Sequence, residues 1–151
     1  MKTFQGVDMF QMPDNGDAIC ITTNGDVNKF GKNVMGKGVA LKAKTYFPGI
    51  DEKLGEYITK YGNRAFNLGR WNYNGKVIFV FSFPTKDTWK HDSDVSIICK
   101  SAQQIVELTE KFKPNKIYFP KAGCGCGGLT WNVVSPWLET IFEDDRFIAC
   151  I

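Results

Sequence analysis

An α/β fold, with a mixed and mostly parallel sheet covered by helices on both faces, is what this sequence of 151 residues predicts. Three observations carry that expectation. Short apolar runs rich in β-branched residues alternate with segments of helical periodicity, the pattern of strands connected through helices. Asn74-Gly75 stands between two strand-like runs, as in a tight hairpin. Two glycine-rich stretches each lie just ahead of a helix-forming segment.

Residues 18–23 (AICITT) read as a buried strand ending at the turn signal Asn24-Gly25. After a polar loop, residues 39–47 carry helix formers and stop before Pro48-Gly49. A second helix is expected over 51–61, with Asp51 near its start and Gly62 past its end. Residues 63–72 and 76–83 then form the two arms of the hairpin, the second the more buried. Between Ser93 and Phe112, apolar residues such as Ile98, Ala102, Ile105 and Val106 recur at spacings of three and four, which is one face of a helix. Pro114-Asn115 ends it, 116–119 (KIYF) resumes as a strand, and residues 123–128 lead into a helix around 132–142, where Pro136 implies a late or irregular start. A final strand is expected over 146–151. In such sheets ligands sit beyond the carboxyl ends of the strands, where both glycine loops fall.

The bulk properties exclude several classes. The 43% hydrophobic and 14% aromatic content fills one core, so residues 1–151 are read as a single domain. The longest apolar run, 77–83, is far short of the roughly 20 residues of a membrane span, and residues 1–10 lack the apolar centre of a signal peptide. Five cysteines without regular spacing make a poor disulfide framework and suit a reducing cytoplasm. Cys124 and Cys126 are too close for a C-x-x-C zinc site, and His91 is the only histidine, so no metal is expected; no cofactor and no membrane partner are expected either. The net charge of +3 is mild, but Lys29, Lys32, Lys37, Lys42 and Lys44 crowd the first third of the chain, as a solvated face or as an attraction for a phosphate-bearing ligand.

The loop Met35-Gly36-Lys37-Gly38 and the loop Gly123-Cys124-Gly125-Cys126-Gly127-Gly128 each place backbone N–H groups at a helix start, where the dipole favours an anion and glycine admits close approach. Two such loops suggest a diphosphate. A Walker A motif fails at Gly38, where a hydroxyl residue must ligate Mg²⁺. Gly123, Gly125 and Gly128 fit G-x-G-x-x-G, but the chain lacks the further βα units of a dinucleotide fold.

These segments resemble the macrodomain family, the ADP-ribose-binding fold. The resemblance lies in Val7-Asp8-Met9, in Asp17-Ala18-Ile19-Cys20 leading to Asn24, in the run from Val34 to Leu41 (VMGKGVAL), and in the run from Gly123 to Trp131 (GCGCGGLTW). Phe83-Pro84-Thr85-Lys86 with Trp89 is similar to the branch of DNA-directed antitoxin macrodomains. The resemblance implies a three-layer α/β/α fold with a mixed central sheet and the binding of ADP-ribose. It implies that Asp8 accepts from the adenine amino group and that Met9 adds a backbone contact. Asn24 would lie near the distal ribose, the backbone of Met35, Gly36, Lys37, Gly38 and Val39 along that ribose and one phosphate, and Gly123, Cys124, Gly125, Cys126, Gly127 and Gly128 on the other side of the diphosphate. Lys86, with Asn24, would be catalytic at the anomeric carbon. Two departures stand out: Val7 replaces the usual glycine before the aspartate, and 25–33 is longer than the branch normally has. Gly127 stands where glutamate-directed relatives carry an aspartate, which disfavours a mechanism needing that acid.

The function expected is therefore a monomeric hydrolase acting on ADP-ribosylated targets, with modified DNA bases favoured over protein side chains. The rivals are an ADP-ribose 1''-phosphate phosphatase and a module that binds ADP-ribose without turnover. Placed at the end of an apolar strand, the Lys86 amine would be partly desolvated, which yields a neutral fraction able to attack carbon or an ammonium able to help a leaving group. A surface lysine holding a phosphate is its plainer role. Trp89 and His91 lie close enough in sequence to meet the base of a modified nucleic acid, although packing is the commoner task of a tryptophan.

Overall fold

The computed structural model describes residues 1–151. Its strands are β1 (Lys2–Phe4), β2 (Ala18–Thr23), β3 (Asn67–Tyr73), β4 (Lys76–Pro84), β5 (Ile117–Phe119) and β6 (Phe147–Cys150). Its helices are α1 (Gly38–Tyr46), α2 (Ile50–Tyr61), α3 (Val95–Phe112) and α4 (Trp131–Ile141), with short 3₁₀ turns at Met9–Gln11 and Gly125–Gly127. The sheet runs in the order β1-β6-β5-β2-β4-β3, parallel except where β3 pairs with β4 across Asn74-Gly75. This is the α/β fold with a mixed sheet that the alternation of elements predicts.

Each strand offers alternate residues to opposite faces, and both are covered. Ala18 and Cys20 of β2 join Phe81, Phe83, Phe119 and the α3 and α4 residues Ile98, Ala102, Ile105, Val134 and Leu138 in one core of 17 buried residues. Ile19 and Ile21 turn the other way, onto Ala43 and the α2 residues Ile50 and Leu54, in a second core of 15. Two cores of nearly equal size make the molecule three-layered, helices on sheet on helices. Removal of a fully buried ring such as Phe119 is expected to cost about 3–5 kcal/mol.

Three boundaries differ from the sequence reading. The edge strand β1 carries no sequence signal, because all three of its residues are exposed and nothing alternates. The expected strand over 63–72 begins only at Asn67. Ahead of it, the Ala65 N–H donates to Gln104 Oε1 of α3 and the Phe66 N–H to Ser82 Oγ, at 2.9 Å each, so side chains replace the ladder there. Helix α4 starts at Trp131 and runs through Pro136 rather than starting after it. The carbonyl that Pro136 leaves without a donor belongs to Asn132, and both residues are exposed, so water can satisfy it.

All the parallel strands end on one edge of the sheet. The segments that leave it there are 5–8 after β1, 24–37 after β2, 85–94 after β4 and 120–130 after β5. The candidate site residues lie in these connections or at the start of α1, except Met9, which opens the 3₁₀ turn just after the first connection.

Candidate functional site

The first glycine loop delivers the chain into α1 with no side-chain cap. Lys37 occupies the N-cap position without a capping hydrogen bond, and the backbone N–H groups of residues 36–40 donate to no protein acceptor. A helix start leaves such donors free, and the helix dipole adds partial positive charge to them. In the second loop, Cys124 N–H donates to Lys121 O and Leu129 N–H to Gly123 O, which folds the segment into a compact turn. The N–H groups of Gly125 and Cys126 are left without an acceptor.

Both loops line one cavity of about 710 Å³, together with Asn24 at the end of β2 and Thr85 and Lys86 at the end of β4. A Cβ placed on Gly38 would lie 4.0 Å from Cys126 Sγ, so the two loops meet across a narrow gap. Lys37, Lys86, Lys90 and Lys121 line the walls, and no aspartate, glutamate or histidine does. Neither of the chain's two ion pairs involves any of these lysines. The cavity is a basin of donors and positive charge, suited to an anion.

A smaller cavity of about 470 Å³ adjoins it, sharing Gly38, Val39 and Pro120. Asp8 and Met9 line it, with Val7 where the resemblance leads one to expect glycine. Asp8 is exposed; its Oδ1 accepts from Phe10 N–H at 3.0 Å, which fixes the carboxylate and leaves Oδ2 free. Gly38 and Val39 thus lie between the smaller cavity, whose charged residues are Asp8 and Lys42, and the lysine-lined larger one, the two making one trough.

Not every residue named from the sequence faces the trough. The Met35 side chain is buried in the core beneath α1, and Gly128 stands outside the lining, against Asp92. Asn24 is buried, and its amide is largely committed: Nδ2 donates to Val34 O at 2.9 Å, while Oδ1 accepts from Asp26 N–H and from Asn33 Nδ2. Lys86 is half-buried at the cavity wall, its carbonyl held by Asn63 Nδ2. The long segment 25–33 is a small hairpin, with Val27 bridged to Asn33 and Asn33 Nδ2 also donating to the carbonyls of Asn24 and Asp26.

Asn33, Ser93, Lys90 and Lys121 were invisible to sequence reasoning. Ser93 lies in the wall, and a Cβ on Gly127 would collide with its Oγ, so the aspartate of the glutamate-directed relatives has no room here. Burial pushes the Cys124 thiol up from its ordinary range, against a smaller opposing pull from Lys121, which disfavours the thiolate form. No set of three or more histidine, cysteine, aspartate or glutamate side chains is grouped to hold a metal ion, and no helix is long and apolar enough to cross a membrane.

A sequence model of the Macro domain family matches residues 27–138, well over half of the chain. The chain belongs to the macrodomain family. Over 115 residues, 73% of this chain, the macrodomain is 30% identical to a protein of Thermus aquaticus named DNA ADP-ribosyl glycohydrolase. It is 28% identical over 141 residues to the protein of that name from Mycobacterium tuberculosis. It spans only about a third of the length of these curated relatives, 31% and 38%. Among solved structures it superimposes on the macrodomain of M. tuberculosis DarG with a TM-score of 0.80 at 23% identity, covering 99% of this chain and 97% of that one. Thermosipho africanus DarTG in complex with ADP-ribose gives 0.79 at 22% identity, covering 99% of this chain and 42% of that one. At such identities these structures establish the macrodomain fold.

Proposed function

We propose that this macrodomain holds ADP-ribose along the trough and removes it from modified DNA bases, with protein side chains as a second class of target. One observation carries the reading most: two sets of unpaired amides, residues 36–40 and Gly125 with Cys126, line the same cavity as Lys86. A diphosphate is the ligand group that such opposed donors suit. The names of the T. aquaticus and M. tuberculosis relatives and the ADP-ribose complex of T. africanus DarTG support the same substrate class.

In this reading the adenine occupies the smaller cavity, its amino group donating to the free Oδ2 of Asp8 and its ring beside the Met9 backbone. The amides of Gly36, Lys37, Gly38 and Val39 hold one phosphate and the distal ribose, and those of Gly125 and Cys126 hold the diphosphate from the other side. Asn24 has one Nδ2 hydrogen to spare for the ribose and otherwise positions Val34 and the loop behind it. With no carboxylate or imidazole in the wall, the candidates are its four lysines, and Lys86 is the one that the family resemblance sets at the anomeric carbon. Its amine can attack that carbon, or its ammonium can protonate the departing base while water attacks; in either case the bond to the base breaks, the base leaves with a proton, and water supplies the new hydroxyl. The fixed amides supply the rest by orientation and charge, without a metal.

The missing wall carboxylate also favours one other reading, a module that binds ADP-ribose and turns nothing over. A panel of ADP-ribosylated thymidine and guanosine DNA, glutamate peptide and ADP-ribose 1''-phosphate separates them. Release of ADP-ribose from the DNA, lost by a hundredfold or so in Lys86→Ala while ADP-ribose binding persists, is the result expected of a lysine-dependent step. Tight binding with no product from any conjugate would select the module, and phosphate release alone would select a phosphatase. Five unpaired cysteines are consistent with a cytoplasmic location, and the reading takes the protein to act as a monomer.

A further inference from the structure

Trp89 is a large apolar side chain in a place where packing does not explain it. Its residue is 55% exposed, it has no aromatic neighbour, and it lines the mouth of the larger cavity three residues beyond Lys86. Trp137 is as exposed, at 54%, and singly exposed apolar side chains are ordinary; Trp89 alone of the four tryptophans lines the cavity, and that position is what points to a ligand contact.

The backbone that carries the indole is fixed by hydrogen bonds. Asp26 Oδ2 accepts from Trp89 N–H at 2.7 Å and from Thr88 Oγ1 at 2.9 Å. Gly25 N–H donates to Asp87 O at 3.0 Å, and Asn63 Nδ2 ties Lys86 O to Asp87 Oδ1. The turn that carries Lys86 also carries Trp89, so the backbone positions of the two residues are held in a set relation. Lys90 Nζ stands 6.0 Å from the indole ring centre, adding positive charge beside an aromatic face.

We propose that Trp89 is the platform on which the unpaired nucleobase joined to ADP-ribose stacks, and that Asp26 is the positioning residue that sets the platform. The inference rests on the reading that the trough takes ADP-ribose attached to DNA. With the nucleotide along the two loops and the anomeric carbon beside Lys86, the group to be released lies toward the mouth, which is where the indole stands. A nucleobase is flat and stacks on an indole whatever its sequence, provided it is not buried in a duplex. Its flanking phosphates would meet Lys90 in a wall without a single carboxylate. A glutamate or serine target would bring no ring for Trp89 to hold.

Steady-state kinetics on a single strand carrying one ADP-ribosylated base, and on an ADP-ribosylated peptide, test this with wild type, Trp89→Ala, Trp89→Phe and Asp26→Asn. Calorimetry with free ADP-ribose accompanies each. Trp89→Ala is expected to raise KM for the strand roughly ten- to hundredfold, as the loss of one base stack does, with ADP-ribose affinity within about twofold of wild type. Trp89→Phe should recover most of the loss, Asp26→Asn should fall between, and the peptide should not respond. Unchanged KM in Trp89→Ala, an equal loss in free ADP-ribose binding, or an equal loss on the peptide would overturn the stacking role and leave the proposed function standing. A wild-type protein that binds no ADP-ribose, or leaves the modified strand intact, would overturn both.

Discussion

The two glycine loops face each other across one cavity, yet glycine serves them in different ways. In the first, no atom lies within 4 Å of where a Cβ on Gly36 would stand, and the loop is open to the cavity. In the second, Gly125 is open in the same way, but a Cβ on Gly123 would come within 2.6 Å of Ile98 Cδ1 and one on Gly127 would strike Ser93 Oγ, so glycine at those two positions admits the segment that leads into α3. What the loops share is the unpaired N–H groups; the absence of a side chain leaves open space at Gly36 and Gly125 and answers packing at Gly123 and Gly127. A glycine-rich stretch in a sequence therefore marks a close approach without saying whether a ligand or the protein itself does the approaching.

Four measurements break or sharpen that contrast. Gly123→Ala should have the largest effect, because its φ of 79° is left-handed and the new methyl meets Ile98; a loss of about 3 kcal/mol in urea denaturation is expected. Gly127→Ala should cost about 2 kcal/mol by overpacking, and Ser93→Gly in the same chain should return part of it, which a double-mutant cycle would read as coupling. Gly36→Ala should leave stability within about 0.5 kcal/mol of wild type and weaken ADP-ribose binding about tenfold in calorimetry. Equal stability losses in Gly36→Ala and Gly127→Ala would erase the distinction.

The smallest effect concerns pH. Asp94 caps α3 beside Ser93, and hydrogen bonds from the Ser96 hydroxyl and N–H hold its carboxyl below the ordinary carboxylate range. A lowered folded-state value means that its contribution is complete at neutral pH and fades as the pH falls below about 4 and through the folded value. Asp94→Asn should flatten that acid limb slightly in thermal melts, and the second loop should be the part of the trough that loosens first.

Much of the fold was legible because strands and helices here bury the faces their periodicity advertises: Ile19 and Ile21 against Ala18 and Cys20, or the Ile98–Ala102–Ile105 stripe of α3. β1 was not, since three exposed residues on a sheet edge follow no pattern. In the site, the loops, Asp8 and Lys86 were readable as motifs. Asn33 and Ser93 act through contacts with Asn24 and Gly127, nine and thirty-four positions away, and such pairings leave no trace in a single chain. For Trp89 the sequence offers both packing and contact with a base, packing being the commoner; it is exposed in the cavity lining, on a backbone that Asp26, a residue with no motif of its own, fixes through the Trp89 N–H.

The central claim is that both sets of amides grip one diphosphate, and backbone NMR tests it most directly. Titration with ADP-ribose should shift the amide signals of residues 36–40 and those of Gly125 and Cys126 together, with a common dissociation constant, as N–H donors engage a charged acceptor. Shifts confined to one loop, or saturating at different ligand concentrations in the two, would contradict it.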